Sequence, residues 1–252
     1  MKTDMDGLIL RDLTVGDKDR IITVLTKEKG IISCYVKNAL MVKHHNFAAT
    51  TPLTYSRLCL YRNRGMYIVD QAEAIRSFYN FSMGVKEFAL SQYLCELAIE
   101  TIPAETESDG QLELLLNCLH VLVNGIKTND VIKAVFEIRL ATLGGNMPNV
   151  IYCAECGTYD SPMMFFDPYT NKMLCEDCFR GQEEFCALSR GAVTAIRYII
   201  TAAPKKIFSF MVSQESMEQV ARISEIHMTE LVGRQLKTLN YYQLVNNDKD
   251  KA

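Results

Sequence analysis

Tyr152-Cys153-Ala154-Glu155-Cys156-Gly157 and Cys175-Glu176-Asp177-Cys178 are two C-x2-C pairs with eighteen residues between the second and third cysteines. Two residues between paired cysteines allow a tight turn to direct both sulfurs at one ion, and this spacing is typical of zinc ribbons. We therefore predict one structural Zn²⁺ held by four thiolates. A site closed in this way has no ligand position left for a substrate.

The residues between the two pairs predict the local fold. Met163–Asp167 and residues 171–174 are short apolar segments suited to a β-hairpin, which would bring the pairs together. Gly157 follows a knuckle where the chain must turn with positive φ. The alternative, a redox C-x-x-C, is disfavoured because such motifs occur singly in a thioredoxin-like βαβ context.

The period of the apolar residues changes at Ser77, well before the ribbon. Five short runs rich in Ile, Val, Leu, Thr and Tyr lie between Asp6 and Arg76, separated by turn residues, which predicts a small β-barrel. After Ser77 the apolar spacing becomes helical. The predicted helices are residues 85–101, 109–126, 131–143, 191–202 and 213–239. We therefore predict an α+β chain with a boundary near Phe78.

Composition and charge narrow the class of protein. Hydrophobic residues make up 48% of 252, and no run approaches the roughly 18 apolar residues of a membrane helix. Met1-Lys2-Thr3-Asp4 carries charge and no apolar core, so we expect no signal peptide, no membrane partner and a cytoplasmic protein. Residues 1–80 hold twelve basic and eight acidic residues, a net charge of +4, whereas the remainder has −7. The basic first third suits a polyanion, or is ordinary surface variation.

The predicted elements follow one another as a barrel, then helices, then an embedded ribbon. In this order the chain resembles the bacterial recombination mediator family RecO. The resemblance extends over essentially the whole chain. The matching segments are Gly7–Arg11, Asp17–Thr26 with Gly30, Leu53 and Leu60–Gly65 through Gln71–Glu73, and Phe136–Leu140 with Gly144, Pro148 and Cys153–Gly157.

This resemblance implies a five-stranded OB-fold at residues 1–78 and a helical domain at 79–252 with the zinc ribbon at 150–180. It also implies a protein that is not an enzyme, binds single- and double-stranded DNA and anneals complementary strands. Such a protein helps load recombinase onto strands coated by single-strand binding protein. Its implied protein partners are a RecR-type protein and the acidic, hydrophobic C-terminal tail of the single-strand binding protein.

OB barrels bind nucleic acid through backbone-tracking cations and stacking aromatics. The candidate cations are Arg11, Lys37, Lys43, Arg57, Arg62 and Arg64. The tyrosines Tyr35, Tyr55, Tyr61 and Tyr67 are possible stacking platforms, but we favour a role for them in filling the barrel. Strand alternation predicts that Arg57 and Tyr61 point outward while Leu58 and Leu60 face the core. The family's loop after the third strand carries two arginines that are absent here from residues 37–45, which weakens the expected DNA binding.

Arg139 is a basic residue in an otherwise apolar helical segment. It either snorkels or pairs with Glu137 or Glu100, or it binds the terminal carboxylate of an acidic partner peptide. We expect no catalysis, because no histidine has a nucleophile or carboxylate at catalytic spacing and no phosphate-binding loop follows Gly144-Gly145. A second hypothesis is a zinc-ribbon adaptor whose barrel binds protein, with Leu40-Met41-Val42 as an exposed apolar patch.

Overall fold

The computed structural model of the chain describes residues 2–41, 46–79, 83–181, 183 and 185–247. The fold is α+β, as predicted, with a five-stranded barrel at the N-terminus and helices in the remainder. Within the described ranges, no helix is both long and apolar enough to cross a bilayer.

The chain divides into two compact units. The first comprises residues 1–124 together with 237–252, and the second comprises residues 125–236. The last segment thus belongs with the barrel unit. The division of the chain at residue 78 stays a prediction.

The barrel of the first unit is closed. Its strands follow one another in the order β1-β2-β3-β5-β4, with β3 and β5 parallel and the other neighbours antiparallel. This is the five-stranded Greek-key order of the OB-fold. The strands are β1 (Lys2–Val15), β2 (Asp19–Thr26), β3 (Gly30–Val36), β4 (Thr54–Asn63) and β5 (Met66–Ser77), and a one-turn helix α1 (Asn46–Ala49) precedes β4.

Alternation of side chains along the strands builds the barrel core. Leu58 and Leu60 are buried in it while Arg57 is exposed, as the pattern predicts. All four candidate tyrosines are half-buried, and aliphatic residues such as Ile9 and Ile22 occupy the barrel interior. The expectation that the tyrosines pack in the barrel holds for Tyr67, which packs against this core, and is not met by Tyr35, Tyr55 and Tyr61.

Three helices complete the first unit: α2 (Val85–Thr101), α3 (Asp109–Val123) and α7 (Lys237–Asn247). The prediction for α2 is confirmed to the residue, and α3 ends three residues earlier than predicted. Helix α7 packs on α2, where the Glu96 carboxylate accepts hydrogen bonds from the backbone N–H and the hydroxyl of Thr238. These bonds cap the start of α7.

Helix α7 is also where one prediction is wrong. Residues 213–239 were expected to form one helix, but α6 (Gln214–Val232) ends at Gly233, which has φ 74°. Glycine adopts this left-handed conformation without steric cost and so terminates a helix. The helical period resumes four residues later, which is why the apolar spacing alone does not reveal the break.

The second unit packs a small sheet with α4 (Asn129–Leu143), α5 (Arg190–Thr201) and α6. The predicted hairpin is present as β6 (Met163–Asp167) and β7 (Lys172–Cys175). A third strand, β8 (Cys186–Ser189), was not predicted and pairs with the other side of β6. Its four residues are too few to show a strand period.

Charged side chains are buried between α4 and α6. The Lys133 ammonium lies 2.8 Å from carboxylate oxygens of both Glu137 and Glu225, and Ser224 donates a 2.6 Å hydrogen bond to Glu137. Burial by itself lowers the pKa of Lys133, but the two carboxylates outweigh it and the pKa is raised. The lysine is therefore held charged in the interior of this unit.

Candidate metal centre and nucleic-acid interface

The four predicted metal ligands meet at one point in the second unit. Cys153 and Cys156 lie on a turn before β6, Cys175 ends β7, and Cys178 follows in the next turn. Their four Sγ atoms all lie within 4.8 Å of one another. Cys153 and Cys175 are buried, Cys178 is half-buried and Cys156 is exposed.

The spacing of the sulfurs fits one tetrahedral ion. A Zn–S bond of about 2.3 Å in tetrahedral geometry places two sulfurs about 3.8 Å apart. The Cys156 and Cys175 sulfurs are 3.5 Å apart. Four thiols that converge in this way can hold a metal ion.

Backbone hydrogen bonds shape both turns. The Gly157 N–H donates to the Cys153 carbonyl at 3.0 Å, and Gly157 has φ 74°, as predicted. The Cys178 N–H donates to the Cys175 carbonyl at 3.1 Å. A 2.7 Å bond from the Ala154 N–H to the Met173 carbonyl ties the first turn to β7. Each turn is thereby held with its two sulfurs on the same side.

The thiols also influence one another's protonation. A hydrogen bond with the Thr158 hydroxyl lowers the pKa of Cys156 to about 6. Contact with the Cys156 sulfur raises the pKa of Cys178. Burial by itself raises the pKa of Cys153, but backbone hydrogen bonds outweigh it and the pKa is lowered.

Arg197 on α5 fastens the first turn, and sequence reasoning missed it. Its Nε donates to the Val150 carbonyl at 2.8 Å, and its Nη2 donates to the carbonyls of Ile151 and Tyr159, both at 2.7 Å. The guanidinium also stacks over the Tyr159 ring, 3.9 Å from its centroid. These residues lie on both sides of Cys153 and Cys156. Arg197 is far from these residues along the chain, so no sequence motif links it to this turn.

The candidate DNA-binding cations on the barrel fall into two groups. Arg11, Lys37 and Arg64 are exposed, and in the part of the chain that is described their side chains form no hydrogen bond or ion pair. Arg64 sits with Gly65 in the two-residue turn between β4 and β5, both at positive φ. Lys43 lies outside the described residues.

The other two cations are paired with carboxylates. Arg57 Nε lies 3.1 Å from the Asp6 carboxylate, so both charges are engaged on the barrel surface. Arg62 lies 2.6 Å from Glu105 and stacks on the Tyr67 ring at 4.5 Å from its centroid. Sequence reasoning did not find Glu105, which is far from Arg62 along the chain.

Among the described residues, the hydrogen bonds of Arg139 go to backbone carbonyls, and its contact with a partner carboxylate stays a prediction. Its Nη1 donates to the carbonyls of Ile199, at 3.2 Å, and Ile200, in the last turn of α5. Carbonyls in the last turn of a helix have no partner within the helix and attract a cation. The predicted pairing with Glu137 is replaced by the contact of that residue with Lys133. Among the described residues, Nε and Nη2 of Arg139 form no hydrogen bond.

The first unit contains a closed OB barrel, and the second contains a ribbon with four converging cysteines. These two features define the class of this protein: an OB-fold protein with a candidate metal-binding ribbon. Two family models match this chain: Recombination protein O N terminal over residues 1–78, and Recombination protein O C terminal over residues 85–240. The chain belongs to the RecO family of DNA repair proteins.

Individual relatives agree along nearly the full length. The DNA repair protein RecO of Acetivibrio thermocellus is 29% identical over 243 residues, which cover 96% of this chain and 97% of the relative. The protein of the same name from Caldicellulosiruptor saccharolyticus is 25% identical over 239 residues, covering 95% and 97%. The one from Heliobacterium modesticaldum is 26% identical over 222 residues, covering 86% and 80%.

Proposed function

We propose that this protein is a recombination mediator that binds single- and double-stranded DNA and anneals complementary strands without being an enzyme. The observation that carries the proposal is an OB barrel, in a chain of the RecO family, with three exposed cations that form no ion pair among the described residues: Arg11, Lys37 and Arg64. Cations of this kind neutralise phosphates, and the released counterions supply affinity. Such a protein works at the nucleoid, in the cytoplasm.

The proposed mechanism of annealing is electrostatic. Two complementary strands repel each other through their phosphates until cations lower that repulsion. A barrel that holds one strand by its backbone leaves the base edges available to the other. The half-buried Tyr35, Tyr55 and Tyr61 are the candidates on the barrel for weak stacking with bases. We further propose that the protein helps load recombinase onto strands coated by single-strand binding protein.

We also propose that the bound ion is Zn²⁺. Four thiolates are soft ligands, and a tetrahedral set of four sulfurs favours zinc among common divalent ions. All four positions are filled by protein, so the ion would be structural. The ion would join the two turns that flank β6 and β7. Arg197 would hold the chain on both sides of the first turn through its hydrogen bonds to backbone carbonyls.

Strand annealing tests the function directly. We expect the wild-type protein to accelerate pairing of two complementary labelled oligonucleotides, with the rate falling steeply between about 50 and 200 mM salt because phosphate contacts are salt-dependent. Fluorescence quenching on duplex formation measures the rate. A rate equal to that of the oligonucleotides alone at every salt concentration would contradict the proposal.

A second candidate is an adaptor whose barrel binds protein. Met41 is 48% exposed at the end of the loop after β3, which favours an apolar partner there, although Val42 lies outside the described residues. Absence of annealing together with capture of a partner protein by the isolated chain would favour this candidate. The cations Arg11, Lys37 and Arg64, for which the described part of the chain supplies no ion pair, favour DNA instead.

For protein partners we propose a RecR-type protein and the C-terminal tail of the single-strand binding protein. Arg139 is the residue predicted to meet the tail's terminal carboxylate, through the Nε and Nη2 donors that remain beside its contacts with α5. We expect Arg139→Ala to reduce capture of an immobilised tail peptide at least about tenfold, the value of one charge-assisted contact. Surface plasmon resonance measures it.

Because Arg139→Ala also leaves two helix carbonyls without their partner, its melting temperature must be measured in parallel. Arg139→Lys serves as the matched variant, since it keeps a cation at the α5 carbonyls but loses the planar fork. Peptide capture undiminished in both variants would remove Arg139 from the partner surface.

A further inference from the structure

Residues 103–109, here called the acidic strap, connect α2 to α3 along the turn between β2 and β3. The Ile31 N–H donates to the Pro103 carbonyl at 3.4 Å, and the Ser108 N–H donates to the Lys27 carbonyl at 2.7 Å. A Cβ atom at Gly30 would lie 2.4 Å from the Pro103 carbonyl oxygen, so only glycine permits this approach. The strap backbone is therefore docked on the barrel.

The strap carries carboxylates to the barrel's cations. Glu105 lies 2.6 Å from Arg62 and 3.6 Å from Lys29, and it accepts a 3.4 Å hydrogen bond from the Tyr67 hydroxyl. At the strap's end, Asp109 lies 3.1 Å from Lys27. Three basic side chains of one barrel end are thus engaged by two acidic residues of the same chain.

The backbone of Glu105 indicates that its position is imposed. Glu105 has φ 56°, a left-handed conformation that residues other than glycine, asparagine and aspartate rarely adopt. Such a conformation persists where the surroundings fix it, and it occurs often at switch positions. Here the hydrogen bonds on both sides of Glu105 hold the strap while the ion pairs hold the side chain.

The site beside Glu105 suits a phosphate group. A cleft of about 370 Å³ is lined by Lys29, Arg62, Tyr67 and Glu105. Apart from Glu105, it combines two cations with an aromatic ring on which the Arg62 guanidinium already stacks. This is the set of groups that binds one nucleotide of a single strand.

We propose that the acidic strap is an internal competitor of DNA, in which the Glu105 carboxylate occupies the position that a backbone phosphate takes when a strand binds to Arg62 and Lys29. This inference rests on the proposed function of the barrel. The Arg62 and Glu105 side chains are 55% and 44% exposed, so solvent weakens their attraction and a strand with many phosphates can displace the carboxylate.

Fluorescence anisotropy with a labelled single-stranded oligonucleotide tests the strap. We expect Glu105→Gln to bind roughly three- to tenfold more tightly than wild type at about 50 mM salt, because a cation released from Glu105 gains a phosphate contact. The plot of log K against log salt should become steeper by about 0.7 for each cation released. Glu105→Gly should behave in the same way, since glycine accepts the positive φ and lacks the carboxylate.

Two comparisons separate a local contact from a general change of charge. Glu113→Gln removes the same charge from α3, where Glu113 is exposed and forms no ion pair among the described residues, and should leave affinity unchanged. In a protein that already carries Arg62→Ala and Lys29→Ala, the further change Glu105→Gln should not increase the affinity for DNA.

The possible results separate a failure of this inference from a failure of the proposed function on which it rests. If wild type binds DNA and loses binding on removal of Arg11, Lys37 and Arg64, but Glu105→Gln and Glu105→Gly bind like wild type, the strap is structural only and the inference is overturned. A gain in Glu113→Gln equal to that in Glu105→Gln overturns it too. If neither the wild type nor any variant binds DNA, the proposed function is wrong, and the inference that rests on it is wrong as well.

Discussion

We expect the wild type to contain the one proposed metal ion per chain, and Cys175→Ser to contain less than about 0.1 and to melt about 10 °C or more lower. Cys175 ends β7 and is buried, so a hydroxyl there cannot replace a thiolate as ligand, and three sulfurs hold the ion far more weakly. Binding energy of a structural ion is folding energy. Elemental analysis and thermal denaturation followed by circular dichroism measure the two effects.

Cys186 provides the matched control for this prediction. It is a half-buried cysteine on β8, in the same small sheet, but its sulfur is not among the four that converge. Cys186→Ser should keep both the metal content and the melting temperature within a few degrees of wild type. Metal retained in full by Cys175→Ser, or equal melting of the two variants, would refute a metal-stabilised second unit.

Combined replacement of Arg11, Lys37 and Arg64 will weaken binding of single-stranded DNA roughly a hundredfold at about 0.1 M salt. Each lost phosphate contact reduces the slope of log K against log salt by about 0.7, so the slope should fall by about two. Arg11→Ala and Lys37→Ala remove exposed side chains. Arg64→Asn is preferred to alanine because asparagine tolerates the φ of 50° found in this turn.

A charge-matched triple variant controls for the change in net charge. Lys172, Lys205 and Lys206 are exposed lysines of the second unit, and their replacement by alanine should alter affinity less than about threefold. The measurement is an anisotropy titration at several salt concentrations. An unchanged slope in the barrel variant would move the DNA site away from this surface.

The predictions from sequence succeeded where the signal was local. A C-x2-C pair specifies its own turn, and apolar alternation specifies which side of a strand is buried, as Leu58 and Leu60 show. The break at Gly233 was missed, because a glycine within a helical pattern ends the helix only if its neighbours leave the positive φ favourable. The third ribbon strand β8 was missed because its four residues carry no period of their own.

Sequence by itself determined the class of this protein: an α+β chain with a five-stranded barrel and four cysteines able to share one ion. Tertiary structure alone decided which charges are engaged. Arg62 is engaged by Glu105, Arg139 by carbonyls at the end of α5, and Lys133 by the buried Glu137 and the half-buried Glu225, whereas the exposed Arg11 and Lys37 form no ion pair among the described residues. The reason is that ion pairs depend on distance in space, and residues forty or sixty positions apart meet only after the chain has folded.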